Sequence, residues 1–233
     1  MATVRKPAYV TNKKMLVGIP AWRLANVVSY TLNSVVNTPA DILIIDNGAD
    51  ADVKQTIRAY PQAKVIVNDK NEYVNFAWNQ IMKYGLDNNY DTIALGTGTL
   101  LHPGWYDPVC RRMDEFSKEI LMPHCGEPHS DPNYLNVQTS RCYPGFFTWL
   151  PREAVEIVYP IPATLRHWYG DAHIGITLMN LGWNVTVMNE VRADHQWGVV
   201  RMANPDCGSV IQADKDAWEA FNRETPNRYQ FVL

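Results

Sequence analysis

The sequence predicts an α/β fold: a doubly wound, mostly parallel sheet with helices on both faces. Three observations predict it. Short β-rich runs alternate with amphipathic helical patterns through the first half of the chain, the mark of βαβ units. One of those runs, 42–45, is apolar at every position, as a central strand covered on both faces would be. Three helices link four successive strands, and the right-handed crossover rule winds such a series into a doubly covered sheet.

Each element has its own signal. Residues 15–19 are the first strand, which Pro20 is expected to end. Val28, Leu32, Val35 and Val36 recur at helical spacing, so a helix over 26–36 should lay one face on the sheet. After the 42–45 strand, Val53, Ile57 and Tyr60 mark a second helix, and 64–67 a third strand. Phe76, Ala77, Ile81 and Tyr84 mark a third helix, with Gly85 as its expected end and 92–95 as the fourth strand. Asp107 is suited to cap a helix running to Phe116, and 120–122 reads as a strand. Residues 123–144 are long, polar and rich in Pro, Asn, Ser and His, a loop of the kind that serves a function or moves. A strand over 146–150 follows, then Pro151 at the first position of a helix, a helix over 170–181 closed by Gly182, and a last clear strand over 185–188. Beyond it, 201–233 keeps one amphipathic patch around Trp218 and Phe221. The expected organisation is a tail over 1–13, one domain over 14–200, and a C-terminal tail or lid over 201–233.

Composition narrows the function classes. With 21 Lys and Arg against 24 Asp and Glu, the net charge of −3 does not draw the whole molecule toward nucleic acid or anionic membrane. No apolar run approaches the roughly 18 residues of a membrane span, and the polar, basic start resembles no signal peptide, so the expected location is the cytoplasm. Cys110, Cys125, Cys142 and Cys207 form no CxxC pair, which signals neither zinc nor a disulfide framework, and they read as reduced thiols.

Three motifs then stand in order. The first joins Leu16-Val17-Gly18-Ile19-Pro20 with Ile44-Ile45-Asp46-Asn47-Gly48-Ala49-Asp50 and with Asn68-Asp69-Lys70-Asn71, followed by Trp78-Asn79. The second is the segment from Ala94 through Gly96-Thr97-Gly98 to Pro103-Gly104-Trp105. The third is Tyr169-Gly170-Asp171-Ala172-His173, then Gly182-Trp183-Asn184-Val185 and Asp194-His195. Over about 14–198 this pattern resembles the family-2 glycosyltransferases of the GT-A fold, with a Rossmann-like nucleotide-binding half.

That resemblance implies a nucleotide-diphosphate sugar as donor, bound through Pro20, Asp46, Asn71, Gly96, Thr97 and Gly98, with Asp46 reading the base. It implies Asp171 as the general base of an inverting transfer, with Trp168, Tyr169, Gly170 and His173 on the acceptor side and His195 as a metal or phosphate contact. The sequence departs from the family at Gly96 and Gly98, where carboxylates would hold Mn or Mg against the diphosphate. Hard cations need oxygen ligands, so a divalent metal is not expected to be required. Backbone N–H groups at the glycines, with Lys70, Arg23 or Arg166, would meet the diphosphate charge instead.

Plainer readings stand beside these. Asp46-Asn47-Gly48 is also a turn signal, and Asp171 at a helix start is also an N-cap. Trp22, Trp105, Trp149, Trp168 and Trp197 serve as core packing or as sugar platforms. The acceptor is left open between a glycan, a small molecule and a hydroxymethylated DNA base of phage type. A non-catalytic nucleotide-sugar or glycan binder is the reading from another class.

Overall fold

The computed structural model describes residues 11–96, 98–125, 145–195 and 207–224. Within them the chain builds β1 (Met15–Ala21), α1 (Ala25–Val35), β2 (Asp41–Asn47), α2 (Ala51–Arg58), β3 (Lys64–Asn68), α3 (Tyr73–Asp87) and β4 (Thr92–Gly96). It continues with β5 (Thr99–Leu101), α4 (Tyr106–Glu115), β6 (Glu119–Cys125), β7 (Phe147–Pro151), α5 (Arg152–Val158), α6 (Gly170–Asn180), β8 (Asn184–His195) and α7 (Cys207–Glu224).

One eight-stranded sheet carries these elements, in the order β3-β2-β1-β4-β7-β6-β8-β5. Strands β1 to β4 are mutually parallel, β7 runs against β4 and β6, and β5 runs against β8. The predicted α/β class, mostly parallel with helices on both faces, is therefore the one observed. The alternation that predicted it follows from burial: Leu43, Ile44 and Ile45 are fully enclosed between the layers.

The order places a switch point between β1 and β4. From β1 the chain steps outward to β2 and β3, then returns to add β4 on the other side of β1. Successive crossover loops leave in opposite directions there, and a crevice opens at the carboxyl ends of the two strands.

Several boundaries differ from expectation for identifiable reasons. Strand β1 does not stop at Pro20 but runs to Ala21: its ladder to β4 ends at Gly18, so Pro20 keeps a neighbour only on β2, opposite Ile45. Trp105, not Asp107, occupies the cap of α4, and Asp107 lies in its first turn. Pro151 ends β7 and caps α5, whose first residue is Arg152. Strand β8 runs on to His195, far past the expected end at 188, because β5 pairs with residues 193–195. Gly182, at φ +79°, follows the end of α6 as expected. The patch around Trp218 and Phe221 belongs to α7, and Trp218 packs into the main core. Most of the expected 123–144 loop, residues 126–144, lies outside the described residues, as do Cys142 and Trp197. No helix among the described residues is long and apolar enough to cross a membrane. Cys110 and Cys125 are free thiols, and burial pushes the Cys110 thiol up to about 11.

Candidate active site

A cleft of about 700 Å³, counting its open mouth, lies at the switch point. Ile19 and Pro20 from the end of β1, Asn47 from β2 and Gly98 beyond β4 line it, together with Trp22, Arg23, Tyr73 and His167. Its lining is mostly apolar, with a few polar groups converging from several strand ends, the make-up of a small-molecule site.

The floor is held by one buried amide. Asn47 Nδ2 donates to Asn71 Oδ1 at 3.0 Å and to the Tyr73 carbonyl at 3.2 Å. Its Oδ1 accepts from Asn68 Nδ2 at 2.9 Å and from the Glu72 N–H at 3.1 Å. All four hydrogen-bonding positions of this side chain are thus committed to fixing the β3–α3 loop beneath the cleft.

Of the residues assigned to the nucleotide, Pro20, Asn71 and Gly98 line the cleft. Asp46 is not among the lining residues. It is 5% exposed, and its Oδ1 accepts the Ala49 N–H at 2.8 Å, so the turn role is the one displayed. Gly96 is not among the lining residues either, and a Cβ there would lie 2.6 Å from the Phe147 ring, so the missing side chain makes room for an aromatic core residue. Gly98, at φ +54°, keeps its backbone at the cleft. Thr97 lies outside the described residues. Among the three candidate cations, Arg23 lines the cleft and stacks over the Trp22 ring at 4.3 Å. Lys70 sits on the surface 3.6 Å from Glu72, and Arg166 lies over the Tyr73 ring at 5.7 Å.

Asp171 stands in the first turn of α6 and, like Asp46, is not among the residues that line the cleft. Its Oδ2 accepts the Gly145 N–H at 3.1 Å and its Oδ1 the Ala172 N–H at 2.8 Å. Burial holds the carboxyl above the ordinary carboxylate range, and the backbone N–H bonds oppose that shift without cancelling it. A Cβ on Gly145 would lie 2.5 Å from the Asp171 Cβ and 2.9 Å from the Trp78 ring, so only glycine lets this backbone reach the acid.

The acceptor-side assignments divide. Tyr169 stacks on Trp218 at 5.6 Å and 11°, and His173 is buried with its ring edge-on to Phe221, so both are packing contacts to α7. The space at Gly170 is taken by Asn75, whose Oδ1 would lie 2.1 Å from an added Cβ, and is not open to substrate. Trp168 is half-buried, with no hydrogen-bond partner at its Nε1 among the described residues. Trp22 lines the cleft, whereas Trp105 and Trp149 are core residues.

Two residues were missed. Asn75, 1% exposed, donates through Nδ2 to the carbonyls of Leu165 and Trp168, both at 3.1 Å. Asp214 of α7 accepts from the backbone N–H groups of Arg166, His167 and Trp168 at 3.1, 2.7 and 2.7 Å. Asp214 had a signal in the sequence: it precedes Trp218 by one helical turn, on the apolar stripe.

Among the described residues no group of three or more His, Cys, Asp or Glu side chains could hold a metal ion. His195 Nδ1 lies 3.1 Å from the Gly98 carbonyl and 3.1 Å from Thr99 Oγ1, which places a proton on Nδ1, and the ring stacks on Phe146. Asp194 pairs with His102 at 2.9 Å on the surface, and Asp171 is held by Gly145 and Ala172.

The fold, with its strand order and its cleft at the switch point, is shared with solved structures of other proteins. Inositol-1-phosphate CTP transferase from T. maritima shares it, at 11% identity, covering 89% of this chain and 98% of that chain with a TM-score of 0.54. A nucleotidyl transferase from Methanothermobacter shares it at 10% identity, covering 90% and 99%, with a TM-score of 0.51. At such identities the likeness is one of fold. No family model and no curated protein matches the chain.

Proposed function

We propose that this chain is a glycosyltransferase that moves a sugar from a nucleotide-diphosphate donor to an acceptor hydroxyl, with inversion and without a required divalent metal. The observation that carries this reading is Asp171, a carboxylate made more basic by burial and fixed by two backbone N–H groups, on the loop-to-helix segment that also sends His167 into the cleft. The nucleotide would lie against Pro20, Asn71, Trp22 and Gly98, with Arg23 beside the diphosphate. Asp171 takes the proton of the acceptor hydroxyl as its oxygen bonds to the anomeric carbon, and the nucleoside diphosphate leaves with the electrons of the broken bond. In-line displacement by one nucleophile inverts the anomeric centre. The acceptor class stays open between glycan, small molecule and modified DNA base.

The test is transfer or hydrolysis from a panel of nucleotide sugars, with the anomer of the product read by NMR. Activity should survive chelator, and release of a nucleoside diphosphate is expected. A second reading is supported by the names of the structures that share the fold: a nucleotidyl transferase acting on a sugar phosphate, which would release pyrophosphate. Pyrophosphate release, a retained anomeric centre, or strict dependence on manganese or magnesium would overturn the proposal.

A further inference from the structure

The loop over 165–169 is gripped from two sides. On one side, α3 supplies Asn75, whose amide donates to the carbonyls of Leu165 and Trp168 and whose backbone N–H donates to the Arg166 carbonyl at 3.1 Å. On the other, α7 supplies Asp214, fully buried, on which three successive N–H groups of 166–168 converge. Successive N–H groups turned toward one point form a nest, a concavity that takes an anion. Asp214 is the anion that this nest holds. The same loop places His167 in the cleft and leads within a few residues to Asp171.

We propose that Asp214 is a positioning residue: seated in the nest of Arg166, His167 and Trp168, its carboxylate sets the loop that shapes the cleft and delivers Asp171. The role rests on the transferase reading above. A carboxylate is needed because both of its oxygens only accept, whereas an amide would turn an N–H toward N–H donors. Removing the charge releases the loop and misplaces the base without removing it, and a misplacement of about 1 Å costs about 10²-fold in rate.

The experiment uses the full chain as wild type, Asp214→Ala and Asp214→Asn, assayed with and without excess sodium formate, and with formamide as the neutral analogue of the same shape. Asp214→Ala is expected to lose kcat by about 10²-fold. Formate should restore much of that rate and raise the melting temperature of Asp214→Ala, because it refills the nest, while formamide should do neither. Asp214→Asn keeps the shape and blocks formate, so it should lose kcat and gain nothing from the anion. Should Asp214→Ala fail to fold, the kcat of Asp214→Asn decides. Wild-type kcat in either variant, or melting restored by formate with no return of rate, would overturn the positioning role. A wild type inactive on every nucleotide sugar would instead remove the transferase reading on which it rests, and the formate-dependent melting would still report whether the nest seats an anion.

Discussion

At the scale of single residues, Asp171 couples the proposed chemistry to pH with a sign that can be worked out. Burial raises its folded-state pKa above the ordinary 3.8, so between those two values the folded chain binds more protons than the unfolded one. The stability it contributes is greatest at low pH, falls as pH rises through that window, and is level above it. Wild type should therefore lose stability relative to Asp171→Asn as the pH climbs from about 3.8, a difference readable by paired thermal melts. The rate has the opposite slope, since the base acts only when ionised. The kcat of wild type should fall on acidification with a midpoint above the ordinary carboxylate value, and that limb should vanish in Asp171→Asn. General-base assistance is worth about 10²- to 10⁴-fold, so Asp171→Asn should lose that much turnover while calorimetry shows the nucleotide sugar still bound. Asp46 tests the competing roles of a carboxylate near the cleft. If it reads the base, Asp46→Ala weakens nucleotide binding about tenfold or more, the worth of a charged hydrogen bond. Unchanged affinity would leave it solely as the acceptor of the Ala49 N–H.

At the scale of elements, the loops rather than the strands decide what the cleft presents. Asn47 ties β2 to the β3–α3 loop through four part-buried hydrogen bonds, each worth about 0.5 to 1.5 kcal/mol, and truncating it removes all four. Asn47→Ala should lower the urea midpoint markedly and weaken nucleotide binding with it. Gly145→Ala should behave differently. Its Cβ would meet Asp171 and Trp78, so the loss expected is in kcat, with the sheet intact by circular dichroism. The βαβ units of the first half were legible because β1, β2 and β4 are buried along nearly their whole length and each helix on one stripe, patterns that the order of residues displays, while the edge strand β3 is largely exposed and shows itself by its β-branched run. Strand β5 and the far half of β8 were not. β5 is only three residues long, and its partner in the sequence lies at residues 193–195, so no local periodicity announces the pairing. Gly96 and Gly170 were legible as positions needing no side chain, but whether substrate or a neighbouring side chain fills the space depends on Phe147 and Asn75, which only the tertiary structure brings there.

At the scale of the whole molecule, the two ends of the sheet are assembled from very different stretches of chain. Strands β1 to β4 are made and joined in order, each pairing with a strand from the same half of the sequence. The opposite edge is not local: Thr99 pairs with His195 and Leu101 with Ala193. Closing so long a loop costs entropy before any contact offsets it, which delays such pairings. The β1–β4 half should therefore gain its hydrogen bonds first during refolding, and the β5–β8 edge last. Pulse-labelled hydrogen exchange would show the amides of 42–45 protected ahead of those of 99–101 and 193–195. A chain emerging from a ribosome would meet the same order, with its first four strands complete before the residues that finish the sheet have been synthesised.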